Sequence, residues 1–165
     1  MVNPKQSSEE LVAALASKDG AERIKAREAL IQSGASAVGE LLKALDDSQQ
    51  HVRWEAAKIL TAIADPSAAE RLVEALGDGD SDVRWVAGEA LIALRHAGLR
   101  PLLAELTRSQ DSEDLYKAAH HVLHDLANNT ELAPIAKPVL DALGQSEPEL
   151  AVPIVAERAL ANMSD

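Results

Sequence analysis

Apolar residues recur along this chain at the i, i+3, i+4, i+7 spacing that lines one face of a helix. Five such sets open short helical stretches: Leu11, Val12 and Leu15; Val38, Leu41, Leu42 and Leu45; Ala69, Leu72, Val73 and Leu76; Leu99, Leu102, Leu103 and Leu106; Ala136, Val139, Leu140 and Leu143. Their last members lie 30, 31, 30 and 37 residues apart, so four units are nearly regular and the linker before the fifth, about 127–134, is longer. A polar turn and a second stripe follow, such as Val52, Ala56, Ile59, Leu60, Ile63, then Val83, Ala87, Ala90, Leu91, Leu94, then Leu115, Ala119, Val122, Leu123, Leu126. In the first unit Glu22 stands where the leading Val belongs, while Ala26, Ala29 and Leu30 keep the register. A terminal repeat, with one face toward water, has that freedom.

Two second stripes share a phrase, Val52-Arg53-Trp54 and Val83-Arg84-Trp85, 31 positions apart. Self-similarity at that period predicts an all-α fold, an α-solenoid of about five antiparallel helix pairs. The expected domain spans 1–165, with repeats near 7–34, 36–64, 65–96, 98–127 and 134–163. Ser7 with Glu10 and Ser146 with Glu149 have capping-box spacing, and Asp65-Pro66 sets a capping residue before a first-turn proline. Gly34, Gly77, Gly79 and Gly98 are expected at turns. Pro153 falls inside the final stripe, which predicts a bent or shortened last helix.

Composition narrows the chemistry. Hydrophobic residues make up 47%, Phe is absent and aromatics are 2%, so the core is built from Ala and Leu. With 16 Lys and Arg against 27 Asp and Glu the net charge is -11, which makes neither nucleic acid nor an anionic membrane an expected partner. The absence of Cys excludes disulfides and thiolate metal sites. Met1 to Gln6 has no leader-like apolar core and no run approaches the length of a membrane span, so a cytoplasmic location is expected.

The repeats resemble HEAT repeats, more narrowly the short bacterial type named after phycobilisome lyases. The resemblance is carried by Asp47 and Asp78 or Asp80 in the turns, Val52 and Val83, Arg53 and Arg84, the small pairs Ala56-Ala57 and Ala87-Gly88, and Leu60 and Leu91. Arg23 holds the arginine place in the first unit, and Pro101 and Pro138 match a first-helix proline of such repeats. The resemblance implies a right-handed superhelix in which turn Asp and helix Arg form an inter-repeat ladder: Arg23, Arg53 and Arg84 with Asp47, Asp78 and Asp80. It also implies that second helices line a concave groove.

At about 100° per residue, Trp54 and Trp85 fall about 200° from the core Val, where a polar residue belongs. The outward columns read Ile24 and Ile31, Trp54 and Thr61, Trp85 and Ile92, Lys117 and His124, Ile154 and Ala161. The tryptophans either floor an open groove that binds a protein, a peptide or a second copy, or are covered by neighbouring side chains as an inner core. Arg27, Glu28, Lys58, Glu89, His120, His121, Glu157 and Arg158 form a rim of mixed charge, suited to a peptide or helix. His120 and His124 share a helical face, and regular stacking would set Glu157 beside His120, a candidate metal site.

No nucleophile elbow, phosphate loop, dinucleotide fingerprint or H-E-x-x-H phrase occurs, so no catalytic residue and no cofactor are expected. The expected function is a non-enzymatic scaffold or adaptor. An alternative from the resemblance is a phycobilin lyase-like accessory, with the Trp pair sandwiching a tetrapyrrole. Deoxyhypusine hydroxylase shares Val-Arg-x-Glu-Ala-Ala phrases, but its His places are Trp54, Trp85 and Lys117 here, and only Glu55 keeps the acid. Alkylpurine DNA glycosylases use HEAT-like repeats too, yet need a basic groove that this charge disfavours.

Overall fold

The computed structural model describes residues 6–109 and 112–163. Residues 1–5 of the segment read for leader character, and 164–165 of the expected domain, lie outside them. Among the described residues all regular structure is helical: α1 (Ser8–Ala14), α2 (Gly20–Ser33), α3 (Ala35–Ala44), α4 (Gln50–Ile63), α5 (Ala69–Ala75), α6 (Ser81–Leu94), α7 (His96–Arg108), α8 (Glu113–Leu126), α9 (Ala133–Leu143) and α10 (Pro148–Ala161). A 3-10 turn at Pro66–Ala68 leads into α5. The chain is an α-solenoid whose successive helix pairs stack along one continuous core.

That core is aliphatic. Leu15, Leu30, Leu41, Leu60, Leu72, Leu76, Leu91, Leu99 and Leu103 are fully buried, and Ala56, Ala57, Ala87 and Ala119 bring neighbouring helices close. None of the three aromatic residues is buried: Trp54 and Tyr116 are half-buried and Trp85 is exposed. Leu140 and Leu143, expected to face the core, are only half-buried; α9 instead buries Ala136, Val139 and Ala142, preceded by Leu132.

The helix ends follow their local chemistry. Ser7 and Glu10 close the capping box of α1, and the Asp65 side chain accepts from Ser67 N ahead of Pro66. The second box is not formed: α10 starts at Pro148 on Glu147 with no side-chain cap. Nor is α10 shortened, since it runs unbroken through Pro153. The carbonyl that loses its donor there belongs to Glu149, which is exposed, so water can satisfy it. Gly98 is in the first turn of α7, not in a linker; a Cβ there would stand 2.4 Å from the Leu91 carbonyl, so the close α6–α7 crossing needs glycine.

Each of the first three second helices hands over to the next unit through a residue at positive φ. Gly34 (φ 56°, ψ -134°) and Arg95 (φ 53°, ψ -118°) are one-residue linkers of nearly the same geometry. Ala64 (φ 51°, ψ 42°) is left-handed helical. Glycine adopts this region freely; the Cβ of Arg95 does not.

Guanidinium groups tie turn to turn. Nη1 of Arg23, Arg53 and Arg84 donates to the carbonyl six residues earlier, Ser17 O, Asp47 O and Asp78 O, at 2.8, 2.9 and 2.8 Å. Arg53 also reaches into the next unit, donating from Nε and Nη2 to the Asp78 carboxylate at 2.7 and 2.9 Å. Arg84 Nη2 lies 3.6 Å from Asp114. The other two turn acids act differently: Asp80 caps α6 by accepting from Asp82 N and Val83 N, and the Asp47 side chain accepts from Gln49 N. In the fourth unit Tyr116 takes the arginine position, its hydroxyl donating to Ser109 O at 3.1 Å.

The fifth pair docks in reverse. Along the stack α2 packs on α4, α4 on α6 and α6 on α8, while α5 packs on α7. Regular stacking would then put α9 on α7 and α10 on α8. Instead α9 packs on α8, and α10 packs on α7 and α9. One residue separates α6 from α7, but residues 127–132 separate α8 from α9, long enough for α9 to fold back on the helix it follows.

Arg95→Gly should relieve the backbone and raise stability by about 1 kcal/mol, read as a Tm increase of roughly 2–4 °C. The Asp78 carboxyl is governed first by burial, which pushes its pKa up. The Arg53 hydrogen bonds, the Asp80 N–H and the charges of Arg53 and Arg84 together outweigh burial and hold it below the usual carboxylate range. A depressed folded pKa stabilises above the unfolded value and the benefit is lost as pH falls through the folded one. The gap in urea midpoint between the parent chain and Asp78→Asn should therefore be full at neutral pH and narrow below about pH 4.

Candidate functional site

The outward face of the second-helix layer is apolar over three helices and polar on the fourth. Ile24 is 50% exposed, Ile31 36% and Trp85 57%, far above what an aliphatic core residue tolerates. Trp54 is half-buried, whereas Lys117 and His124 on α8 are exposed polar ends to the two columns. Ile31, Trp54, Lys58, Trp85 and Glu89 come together on the walls of one groove of about 550 Å3 between α2, α4 and α6. Ile24, Ile92, Lys117, His121 and His124 are not part of its lining. Ile92 packs against the core edge, and His121 meets the groove through Trp85 and Glu89.

Each tryptophan has a distinct neighbour. Lys58 Nζ sits 4.9 Å from the Trp54 ring centroid, a cation–π contact. The Trp85 indole stacks on the His121 imidazole at 4.0 Å between centroids and 22° between planes. His121 Nε2 in turn lies 2.8 Å from Glu89 Oε1. Gly88 lies against this stack: a Cβ at that position would be 3.3 Å from His121 Cδ2, close enough that the imidazole would have to shift by a few tenths of an ångström. The two indoles do not form an inner core, since Trp85 is exposed and Trp54 only half-buried.

Behind the groove lies a buried carboxylate. Glu55 is 5% exposed, and both its oxygens are taken by Arg27, Nε to Oε2 at 2.7 Å and Nη2 to Oε1 at 2.5 Å. The Arg27 pKa is raised, first by the hydrogen bonds to Glu55, against the opposing effect of burial, and further by the charges of Glu55 and Glu28. Sequence inspection singled out neither member as a pair. The available signal was Glu55 inside an otherwise apolar turn of α4, one unit on from a rim arginine.

The expected meeting of Glu157 with His120 does not occur. Glu157 is on α10, which docks on α7 and α9, whereas His120 and His124 are on α8 and stack on each other at 6.2 Å. No group of three His, Cys, Asp or Glu among the described residues is placed to hold a metal ion. The reversed docking opens a second cleft instead, about 470 Å3, between Tyr116, Lys117 and His120 of α8 and Leu143 and Pro148 beyond. No helix among the described residues is long and apolar enough to cross a membrane.

The sequence profile of HEAT repeats matches residues 8–92, more than half of the chain, covering the regular part from α1 almost to the end of α6. The crystal structure of an engineered protein from a structural-genomics programme is similar at 28% identity, over 94% of this chain and 78% of that one, with a TM-score of 0.45. No curated protein matches the chain.

Arg27→Ala strands the Glu55 carboxylate and should cost about 3 kcal/mol in urea unfolding. Arg27→Leu combined with Glu55→Leu removes both charges and should recover most of that loss; additive losses in the double variant would refute the pairing.

Proposed function

The chain belongs to the HEAT-repeat family, and we propose that it is a non-catalytic interaction scaffold that grips a peptide or helix in the groove between α2, α4 and α6. The observation that carries this reading is Trp85: a tryptophan 57% exposed, braced by His121, in a chain whose core uses no aromatic side chain. A large rigid amphipathic ring fixed at the mouth of a groove offers contact area at little entropic cost, which is why tryptophan dominates binding hot spots. The apolar surface of Ile31 and Trp54 continues from it, and Lys58, Glu89 and Asp82 supply a polar border. A non-catalytic role is favoured by Glu55, the acid shared with di-iron relatives, because both its oxygens are occupied by Arg27.

Trp54→Ala with Trp85→Ala should leave the fold intact and abolish capture of the chain's native protein partner. Losing two anchoring tryptophans costs at least about 2 kcal/mol each, so affinity should fall by at least about a thousandfold. Capture that survives the double substitution unchanged excludes the groove as the binding face.

A further inference from the structure

The cations of the groove are already engaged by the chain itself. Arg27 is held through Nε and Nη2 by both oxygens of Glu55, and Lys58 sits on the Trp54 ring at 4.9 Å. The charged residues that line the groove beside Trp85 on α6 are acidic instead. They are Asp82 and Glu89, the latter bonded through Oε1 to His121, whereas Glu113 and Asp114 at the start of the adjacent α8 already face Lys117 and Arg84. One face of the Trp85 indole is closed by His121, yet the residue remains 57% exposed. Of these two tryptophans one repeat apart on the same column, Trp54 carries a lysine on its ring, whereas no Lys or Arg among the described residues stands over the ring of Trp85.

From this difference we infer that the groove's occupant is a peptide segment presenting a lysine or arginine side chain to the open face of Trp85. Asp82 and Glu89 are its counter-charges, and neighbouring apolar residues of the segment lie on Ile31 and Trp54. A ring face flanked by carboxylates attracts a cation through its quadrupole and through their charge together, more strongly as binding excludes water. The net charge of -11 draws a basic segment in and opposes a second copy of this chain. The inference rests on the groove reading above and names the chemistry of its partner.

Two amphipathic helical peptides of equal length and pattern, one of Leu and Lys, the other of Leu and Glu, serve as probes. In the Trp54→Phe chain, where Trp85 is the sole tryptophan, the Leu/Lys peptide should change the fluorescence saturably and the Leu/Glu peptide should not. By calorimetry on the otherwise unaltered chain, Trp85→Ala should weaken the Leu/Lys peptide by about tenfold. Asp82→Asn with Glu89→Gln should weaken it several-fold and flatten its salt dependence. Equal binding of both peptides, lost in Trp85→Ala, overturns the cationic occupant while the groove stands. Leu/Lys binding indifferent to Trp85→Ala reduces the effect to diffuse charge and overturns the inference. So does failure of both peptides while tryptophan-dependent capture of the native partner persists. A dimer dissolved by Trp85→Ala in sedimentation assigns the groove to a second copy and overturns it as well.

Discussion

Arg53 makes two connections at once, and the regular part of the solenoid depends on both. Its guanidinium donates to the Asp47 carbonyl of its own turn and, in a fork, to the Asp78 carboxylate of the next. Asp78 passes the connection on, since its carbonyl accepts from Arg84 and its carboxylate from Asp80 N. Such fasteners add directional contacts to a core of Leu, Ile, Val and Ala that contains no aromatic anchor. By holding α4 beside α6, the ladder also sets Trp54 and Trp85 on the walls of one groove.

Where the ladder changes, the architecture changes with it. In the fourth unit Tyr116 replaces arginine and fastens its own turn through Ser109 O, with a neutral hydroxyl in place of a guanidinium fork. Beyond it α9 and α10 exchange the places that regular stacking would give them. The match to HEAT repeats stops before this region, and the apolar column stops there too, at Lys117 and His124. The groove is thus a property of the regular units alone, and the reversed fifth pair closes the stack at its far end.

The helix faces were legible in the sequence because burial has the period of the helix: Val52, Ala56, Leu60 and their counterparts in α6 are buried as the stripe requires. The outward placing of Trp54 and Trp85 followed from the same arithmetic. Docking order was not legible, because a stripe states which face is buried but not against which helix; hence the misplaced Glu157. The Trp85–His121 stack was obscured by reading columns helix by helix, when His121 leans across to α6 through the gap left by Gly88. A missing side chain opposite a ring is a weak mark in a sequence already rich in small residues. Glu55 was visible as an acid, yet its partner is a long side chain of the preceding unit whose reach no periodicity encodes.

Folding and the proposed binding are carried by different residues of the same helical turn. In α4, Arg53 faces the ladder, Glu55 the buried pair and Ala56 the core, while Trp54 between them makes none of these contacts. In α6 the division is sharper, because three further residues serve the position of one ring: Gly88 leaves the space, His121 fills it and Glu89 holds the imidazole. A solvated outward position needs none of this for stability, and Lys117 occupies the corresponding place on α8 as an exposed residue. An indole held in one orientation loses little further freedom when a ligand covers it, so this bracing favours the proposed association.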